Sequence, residues 1–153
     1  MIHNVEVSHF LEELRILDVG KVTKDEALEM MIESICTSPL VKDPKQFHQA
    51  IFARENLMST GIGYGIAIPH IRSSTIDDFV ICLLRCREGI DYESIDDIPV
   101  KLIFMIGASD HQDKDYLKLL SRLIIRLKDK SITQAILNAQ DTKEIYKLIT
   151  EKK

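Results

Sequence analysis

Residues Asp78–Ser109 read DFVICLLRCREGIDYESIDDIPVKLIFMIGAS, and this stretch decides the fold. Its two ends, "DFVICLLRC" over 78–86 and "IPVKLIFMIGAS" over 98–109, are apolar, rich in β-branched residues and flanked by turn formers. They read as strands buried on both faces, because a strand with one wet face would alternate polar and apolar residues. The segment between them, "REGIDYESIDD", reads as a polar connection.

Outward from this pair the pattern becomes helical. Thr23 followed by Glu26 forms a capping box, and Ala27, Met30, Met31, Ser34 and Ile35 then recur at helical spacing, so the pattern predicts a helix over roughly 24–37. Pro39 ends it. Asp43-Pro44 supplies an N-cap and a proline at the first helical position of a second helix, with Phe47, Ala50, Ile51 and Arg54 on one face. Beyond the strands, Leu117, Leu120, Ile124 and Leu127 predict a helix starting at Asp113. Ser131 caps a further one with Ile132, Ala135 and Ile136. Asp141 caps the last, with Ile145, Leu148 and Ile149. Helices on either side of a strand run imply a layered α/β (α+β) fold, a central mixed β-sheet flanked by helices on both faces. Residues 1–153 read as a single domain with no repeat or linker.

The totals restrict function. The chain has 153 residues, is 45% hydrophobic and 29% charged, and carries a net charge of -4 with no tryptophan. Such a mix builds one core, and no basic stripe interleaved with aromatics offers a surface for nucleic acid. No apolar run is long enough to span a bilayer, and "MIHNVEVSHFLEEL" lacks the basic and apolar regions of a signal peptide. Cys36, Cys82 and Cys86 lie in apolar contexts without metal-ligand spacing, so they read as small buried hydrophobes in a reducing compartment, with no metal or cofactor. These readings place the protein in the cytoplasm.

The chemistry concentrates in "RENLMSTGIGYGIAIPHIRS", Arg54–Ser73. Gly61, Gly63 and Gly65 alternate with larger residues, a pattern that can turn backbone N–H groups toward an anion or let another segment approach closely. Proline forces Ile68 extended and cannot donate to a ladder, so the strand should end at Pro69 or lie at an edge. His70 is thereby presented on a restrained backbone beside the glycine loop. Arg54 lies just upstream, and its planar fork suits phosphate oxygens. A neutral imidazole so held suits attack on a phosphoryl group, a reaction governed by positioning and charge neutralisation.

The run "RENLMSTGIGYGIAIPH", followed by "GIDYESID" and "PVKLIFMIGA", closely resembles the phosphohistidine motif of the enzyme IIA domains of the fructose/mannitol type. These domains belong to the bacterial phosphoenolpyruvate-dependent phosphotransferase system and include the nitrogen-regulatory enzyme IIA proteins. The resemblance covers nearly the whole chain and implies a mixed sheet with helices on both sides. It also implies that His70 accepts phosphate from the phosphocarrier HPr, or its nitrogen-branch counterpart. The phosphate then passes to an enzyme IIB-type acceptor, or its presence is read by a regulatory target. By match to the motif, Arg54 is the arginine beside that histidine. Ser59, Thr60, Gly61 and Gly63 are expected to support the phosphate.

Three positions depart from the pattern. Ile71 follows Pro-His where a small residue is usual, and Tyr64 stands where many relatives have asparagine. The family's second active-site histidine aligns with Tyr116. A tyrosine can hydrogen-bond a phosphate oxygen but keeps one charge state near neutral pH. His111, five residues earlier, is the alternative. His3, His9 and His48 lie outside the motif and read as surface or helix-packing residues. A chain of 153 residues leaves no room for a fused IIB or IIC segment and looks more like the regulatory branch than a sugar permease component, though separate sugar-specific IIA subunits exist. Two other readings are a binding module of the same fold with impaired or lost phosphotransfer, and a hydrolase with His70 as general base. No nucleophile elbow or carboxylate dyad accompanies the second.

Overall fold

In the computed structural model, which describes residues 10–150, six strands form one sheet between two helical layers. The strands are β1 (Leu11–Val19), β2 (Gly61–Gly63), β3 (Ile66–Ala67), β4 (His70–Ser73), β5 (Val80–Ile90) and β6 (Val100–Ser109). The helices are α1 (Lys24–Ile35), α2 (Pro44–Leu57), α3 (Asp113–Lys128), α4 (Lys130–Asn138) and α5 (Thr142–Thr150). The strand order is β1-β5-β6-β3-β2, with β4 also on β6. β5 and β6 are antiparallel, whereas β1 on β5 and β3 and β4 on β6 are parallel. The sheet is mixed, as the sequence predicts. His3 and His9 lie outside the described residues.

The two long strands are apolar throughout because alternate side chains enter different cores. Ile81, Leu83, Leu102, Phe104 and Ile106 join Leu119, Leu123 and Leu127 of α3 and the buried residues of α4 and α5. Val80, Cys82, Leu84, Cys86, Ile103 and Met105 join Leu28, Met31, Phe47 and Ile51 beneath α1 and α2. Each such large side chain contributes roughly 1.5–3 kcal/mol on burial. Cys82 is one of these hydrophobes, and burial pushes its thiol up to about 12.

The capping box of α1 forms with both halves in place, and Asp43 caps α2 through the Gln46 N–H. Four details differ from the sequence reading. β1 was not legible: its burial lacks a clean period, and its register with β5 shifts between Leu11 and Ile16. β5 extends past Cys86 to Ile90, carried through "REGI" by a register break and a glycine, Gly89, at φ +85°. Asp129, not Ser131, caps α4, accepting both the N–H and the hydroxyl of Ser131. The buried face of α3 is Tyr116, Leu119, Leu123 and Leu127, so Leu117 is 65% exposed and Leu120 and Ile124 sit at the margin. The apolar surface of α3 is wide enough for either stripe, and docking on the sheet selects the one led by Tyr116.

A fully buried arginine joins three elements. Arg85 on β5 donates to both carboxylate oxygens of Asp18 on β1, at 3.0 and 2.6 Å. Its third nitrogen donates to the carbonyls of Ile136 and Ala139 at the end of α4, at 2.8 and 2.6 Å. The guanidinium thus serves as the C-cap that α4 lacks in its own sequence. The hydrogen bond from Arg85 holds the Asp18 carboxyl below its ordinary range, against a smaller opposing effect of burial.

Candidate functional site

His70 stands at the break of an interrupted strand. Ile66 pairs with Leu102, Ala67 with Ile103, and His70 with Ile106, so β3 and β4 keep one register along the same side of β6. Ile68 and Pro69 fill the gap. The strand therefore resumes after Pro69 instead of ending there, and the Pro69 carbonyl still accepts from the Ile106 N–H at 3.0 Å. Proline can give no N–H to the ladder, and β4 lies at an edge, with β6 as its one strand neighbour among the described residues. The His70 Nδ1 lies 2.6 Å from the Ile68 carbonyl oxygen. A carbonyl only accepts, so Nδ1 carries the hydrogen, and in the neutral ring the lone pair is on Nε2.

The imidazole opens on a cleft of about 190 Å³. Arg54, Ser59, Thr60 and Gly61 line its polar side, and Ile62, Ile68, Leu120 and Ile124 its apolar side. No carboxylate lines it. Arg54 comes from the last turn of α2. Its neighbour Glu55 points the other way and is buried, accepting from the Thr60 N–H at 3.0 Å and the Thr60 hydroxyl at 2.7 Å. Lys24 Nζ lies 2.9 Å from the same carboxylate and 4.3 Å from the Tyr92 ring centroid. The Tyr92 hydroxyl is 3.0 Å from that of Thr60, and the Ser59 hydroxyl donates to the Tyr92 carbonyl at 3.1 Å. Burial pushes the Tyr92 phenol well above its ordinary value, with the Glu55 charge adding to it. Sequence reasoning singled out neither Lys24, Glu55 nor Tyr92. The last two do stand in the "RE" and "GIDYESID" runs.

This network changes the reading of the glycine loop. The N–H groups of Thr60, Gly61 and Tyr64 are held by Glu55, the Ser59 hydroxyl and Asp96. They do not converge as an anion nest. The glycines serve geometry instead. A Cβ on Gly61 would lie 2.3 Å from the Ser94 oxygen, so the loop after β5 can cross β2 only at a glycine. Tyr64 and Gly65, at φ +60° and +77°, make the tight turn between β2 and β3. Gly63 lies against Asp96 and outside the cleft lining.

Tyr116 and His111 part company. The Tyr116 ring, largely buried, lies 6.0 Å from the His70 ring. Burial pushes its phenol up, with Arg72 and Arg54 pulling the other way. Arg72, which the sequence reading passed over, lies with its guanidinium carbon 5.0 Å from the Tyr116 ring centroid. The His111 side chain is 88% exposed, beside Asp110, and outside the cleft lining. Ile71 enters the core beneath α1 and α2, away from the cleft. His48 pairs with Glu29 on the outer surface of those helices.

Residues 8–152 match the model of one protein family, the phosphoenolpyruvate-dependent sugar phosphotransferase system, EIIA 2. The chain belongs to that EIIA family. It is 30% identical over 139 residues to a fructose-specific EIIA component from Haloferax volcanii, covering 91% of this chain and 90% of that protein. It is 33% identical over 135 residues, 88% of this chain, to a fructose-specific EIIABC component from Bacillus subtilis, but spans only 21% of that protein. The crystal structure of nitrogen regulatory protein IIA-Ntr from Neisseria meningitidis superposes with a TM-score of 0.85 at 28% identity, covering 94% of this chain and 99% of that one. EIIA domains are phosphotransferases that work through a phosphohistidine, so this EIIA chain has a phosphocarrier or regulatory role. Among the described residues no helix is long and apolar enough to cross a membrane.

Proposed function

We propose that His70 is the phosphohistidine of this EIIA domain. The observation that carries the reading is the Nδ1–H bond to Ile68, which leaves the Nε2 lone pair beside Arg54 in a cleft free of carboxylates. A phosphorylated, HPr-like carrier presents its phosphohistidine there. The Nε2–P bond forms as the donor's N–P bond breaks, and that electron pair returns to the donor ring. Positive charge developing on the His70 ring is shared with the Ile68 carbonyl through Nδ1–H, and Arg54 neutralises the phosphoryl oxygens. Tyr116 borders the site. Ser59 and Thr60 hold the loop that forms its wall.

The donor and the acceptor are proteins in this reading, consistent with the surroundings of the cleft. Leu57, Met58 and Ile62, on the segment between Arg54 and the cleft wall, and Leu117, on the turn of α3 before Leu120, are exposed apolar side chains. Such surface suits transient docking. The downstream partner is an enzyme IIB-type acceptor or a regulatory target that senses the state of His70, with the whole cycle in the cytoplasm and the chain acting as one domain.

Incubation with phosphoenolpyruvate, enzyme I and HPr, followed by intact-mass measurement, tests this. Wild type should gain a single acid-labile, alkali-stable phosphoryl group and His70→Ala none. Stoichiometric labelling of His70→Ala would overturn the assignment.

A further inference from the structure

His70 and Arg72 are alternate residues of β4, so their side chains leave the same face of the sheet, with Cα atoms roughly 7 Å apart. Ile71 between them anchors in the opposite core, which fixes that orientation. Tyr116 is their common neighbour, with its ring 6.0 Å from the His70 ring and 5.0 Å from the Arg72 guanidinium carbon. Arg72 is also paired with Asp113, in the first turn of α3. That pair is exposed, with 39% of the Arg72 side chain and 73% of the Asp113 side chain open to solvent. An exposed ion pair holds its partners weakly.

A phosphoryl group on His70 Nε2 brings a dianion to this face. Among the cleft-lining residues Arg54 is the one fixed cation, so one of the two charges is left without a partner. A guanidinium stacked on a ring can turn in the ring plane and keep its stacking contact while it exchanges one carboxylate for a phosphoryl oxygen. We infer that Arg72 is a second phosphoryl-binding cation, held by Asp113 in the unloaded protein and transferred to the phosphoryl group when His70 is loaded. It rests on the reading of His70 as acceptor. The exchange is favourable because a charge-assisted, two-pronged bond to a partly enclosed dianion replaces a solvent-screened pair. Asp113 competes with the phosphoryl group for the same guanidinium, so it restrains acceptance and assists release to the next protein.

The experiment measures the rate of acceptance from phosphorylated HPr, and the half-life of the loaded protein, in wild type, Arg72→Ala, Arg72→Lys, Asp113→Asn and the Arg72→Ala/Asp113→Asn double variant. Far-UV circular dichroism checks the fold of each. Loss of one charge-assisted contact to the phosphoryl group should slow acceptance by roughly tenfold in Arg72→Ala, with only partial recovery in Arg72→Lys. Asp113→Asn should accelerate acceptance and lengthen the half-life. The double variant should match Arg72→Ala, because Asp113 acts only through Arg72. A merely structural role for the pair predicts that both single variants shift in the same direction. That outcome would overturn the inference, as would a folded Arg72→Ala within twofold of wild type. Absence of any phosphoryl group on His70 in wild type would instead overturn the reading of the acceptor, and this inference with it.

Discussion

The His70 Nδ1 and the Ile68 carbonyl oxygen are 2.6 Å apart across Pro69, so the residue before the proline sets the tautomer of the residue after it. Proline keeps Ile68 extended, which aims that carbonyl back at the ring. The expected outcome is a neutral His70 protonated at Nδ1. Long-range ¹H–¹⁵N correlation spectra of the imidazoles distinguish the two tautomers. A His70 protonated mainly at Nε2 would remove the proposed nucleophile. Pro69→Ala should weaken the preference and slow phosphoryl acceptance several-fold, since about 1 kcal/mol of hydrogen bonding is at stake.

Arg54 and Glu55 are adjacent at the end of α2 and face opposite environments, so their substitutions should separate function from stability. Arg54→Ala should slow acceptance by about one to two decades, the equivalent of one charge-assisted hydrogen bond, and leave the melting temperature nearly unchanged. Glu55→Ala removes the acceptor of two Thr60 hydrogen bonds and the partner of Lys24. It should cost about 3 kcal/mol, in the range for breaking a buried pair. Thermal unfolding monitored beside the transfer assay reads both. Equal loss of stability in the two variants would contradict the geometry.

The Asp18–Arg85 pair predicts a specific acid response. Arg85 lowers the folded-state pKa of Asp18 below its unfolded value of about 3.9. The folded state therefore holds its proton less tightly than the unfolded state. The stabilisation is present above the unfolded value and is lost as pH falls through the lowered folded value. Asp18→Asn should be less stable than wild type at neutral pH, and the gap should narrow as the pH falls below about 4. Urea midpoints at a series of pH values measure it. A gap independent of pH would show that the pair contributes through packing alone.

Tyr64 sits at φ +60° in the β2–β3 turn and is 70% exposed. A tyrosine there carries the left-handed strain that asparagine bears more easily, and it buries little in return. Tyr64→Asn should stabilise the fold by about 0.5–1 kcal/mol while keeping the N–H bond to Asp96. Chemical denaturation decides it, and a loss of stability would mean that the ring makes a contribution of its own.

What the sequence showed and what it hid follow one physical division. β5 and β6 were legible because both faces of each strand are buried, which leaves continuous apolar runs. His70 stood out in the sequence because Pro69 restrains the backbone just before it. β1 was hidden by Glu12, Glu13 and exposed Leu14 within a strand whose register shifts. The network of Lys24, Glu55, Thr60 and Tyr92 was hidden because its members come from α1, α2, the loop before β2 and the loop after β5. Arg72 was hidden because the short polar "IRSST" run carries no strand periodicity. Only the pairing of β4 with β6, residue by residue from His70 to Ser73, puts it on the His70 face.

Tyr116 and His111 give the last test, because the motif match falls on Tyr116 with His111 as its alternative, and only the Tyr116 ring lies beside His70. The Tyr116 ring borders His70 and supports Arg72, whereas His111 is 88% exposed next to Asp110. A side chain so exposed exerts little influence on a cleft it does not line, since solvent and salt screen its charge. His111→Ala should therefore accept phosphate within twofold of the wild-type rate across the neutral range. Tyr116→Phe keeps the ring and should slow acceptance modestly. Tyr116→Leu removes the platform under the guanidinium and should slow it more, by the several-fold that a partly exposed cation–π contact of about 0.5–1 kcal/mol allows. Acceptance rates for the three variants at two or three pH values settle the order. A large loss in His111→Ala, with Tyr116→Leu near wild type, would mean that the loop before α3 folds His111 onto the loaded site and that Tyr116 is only a core residue.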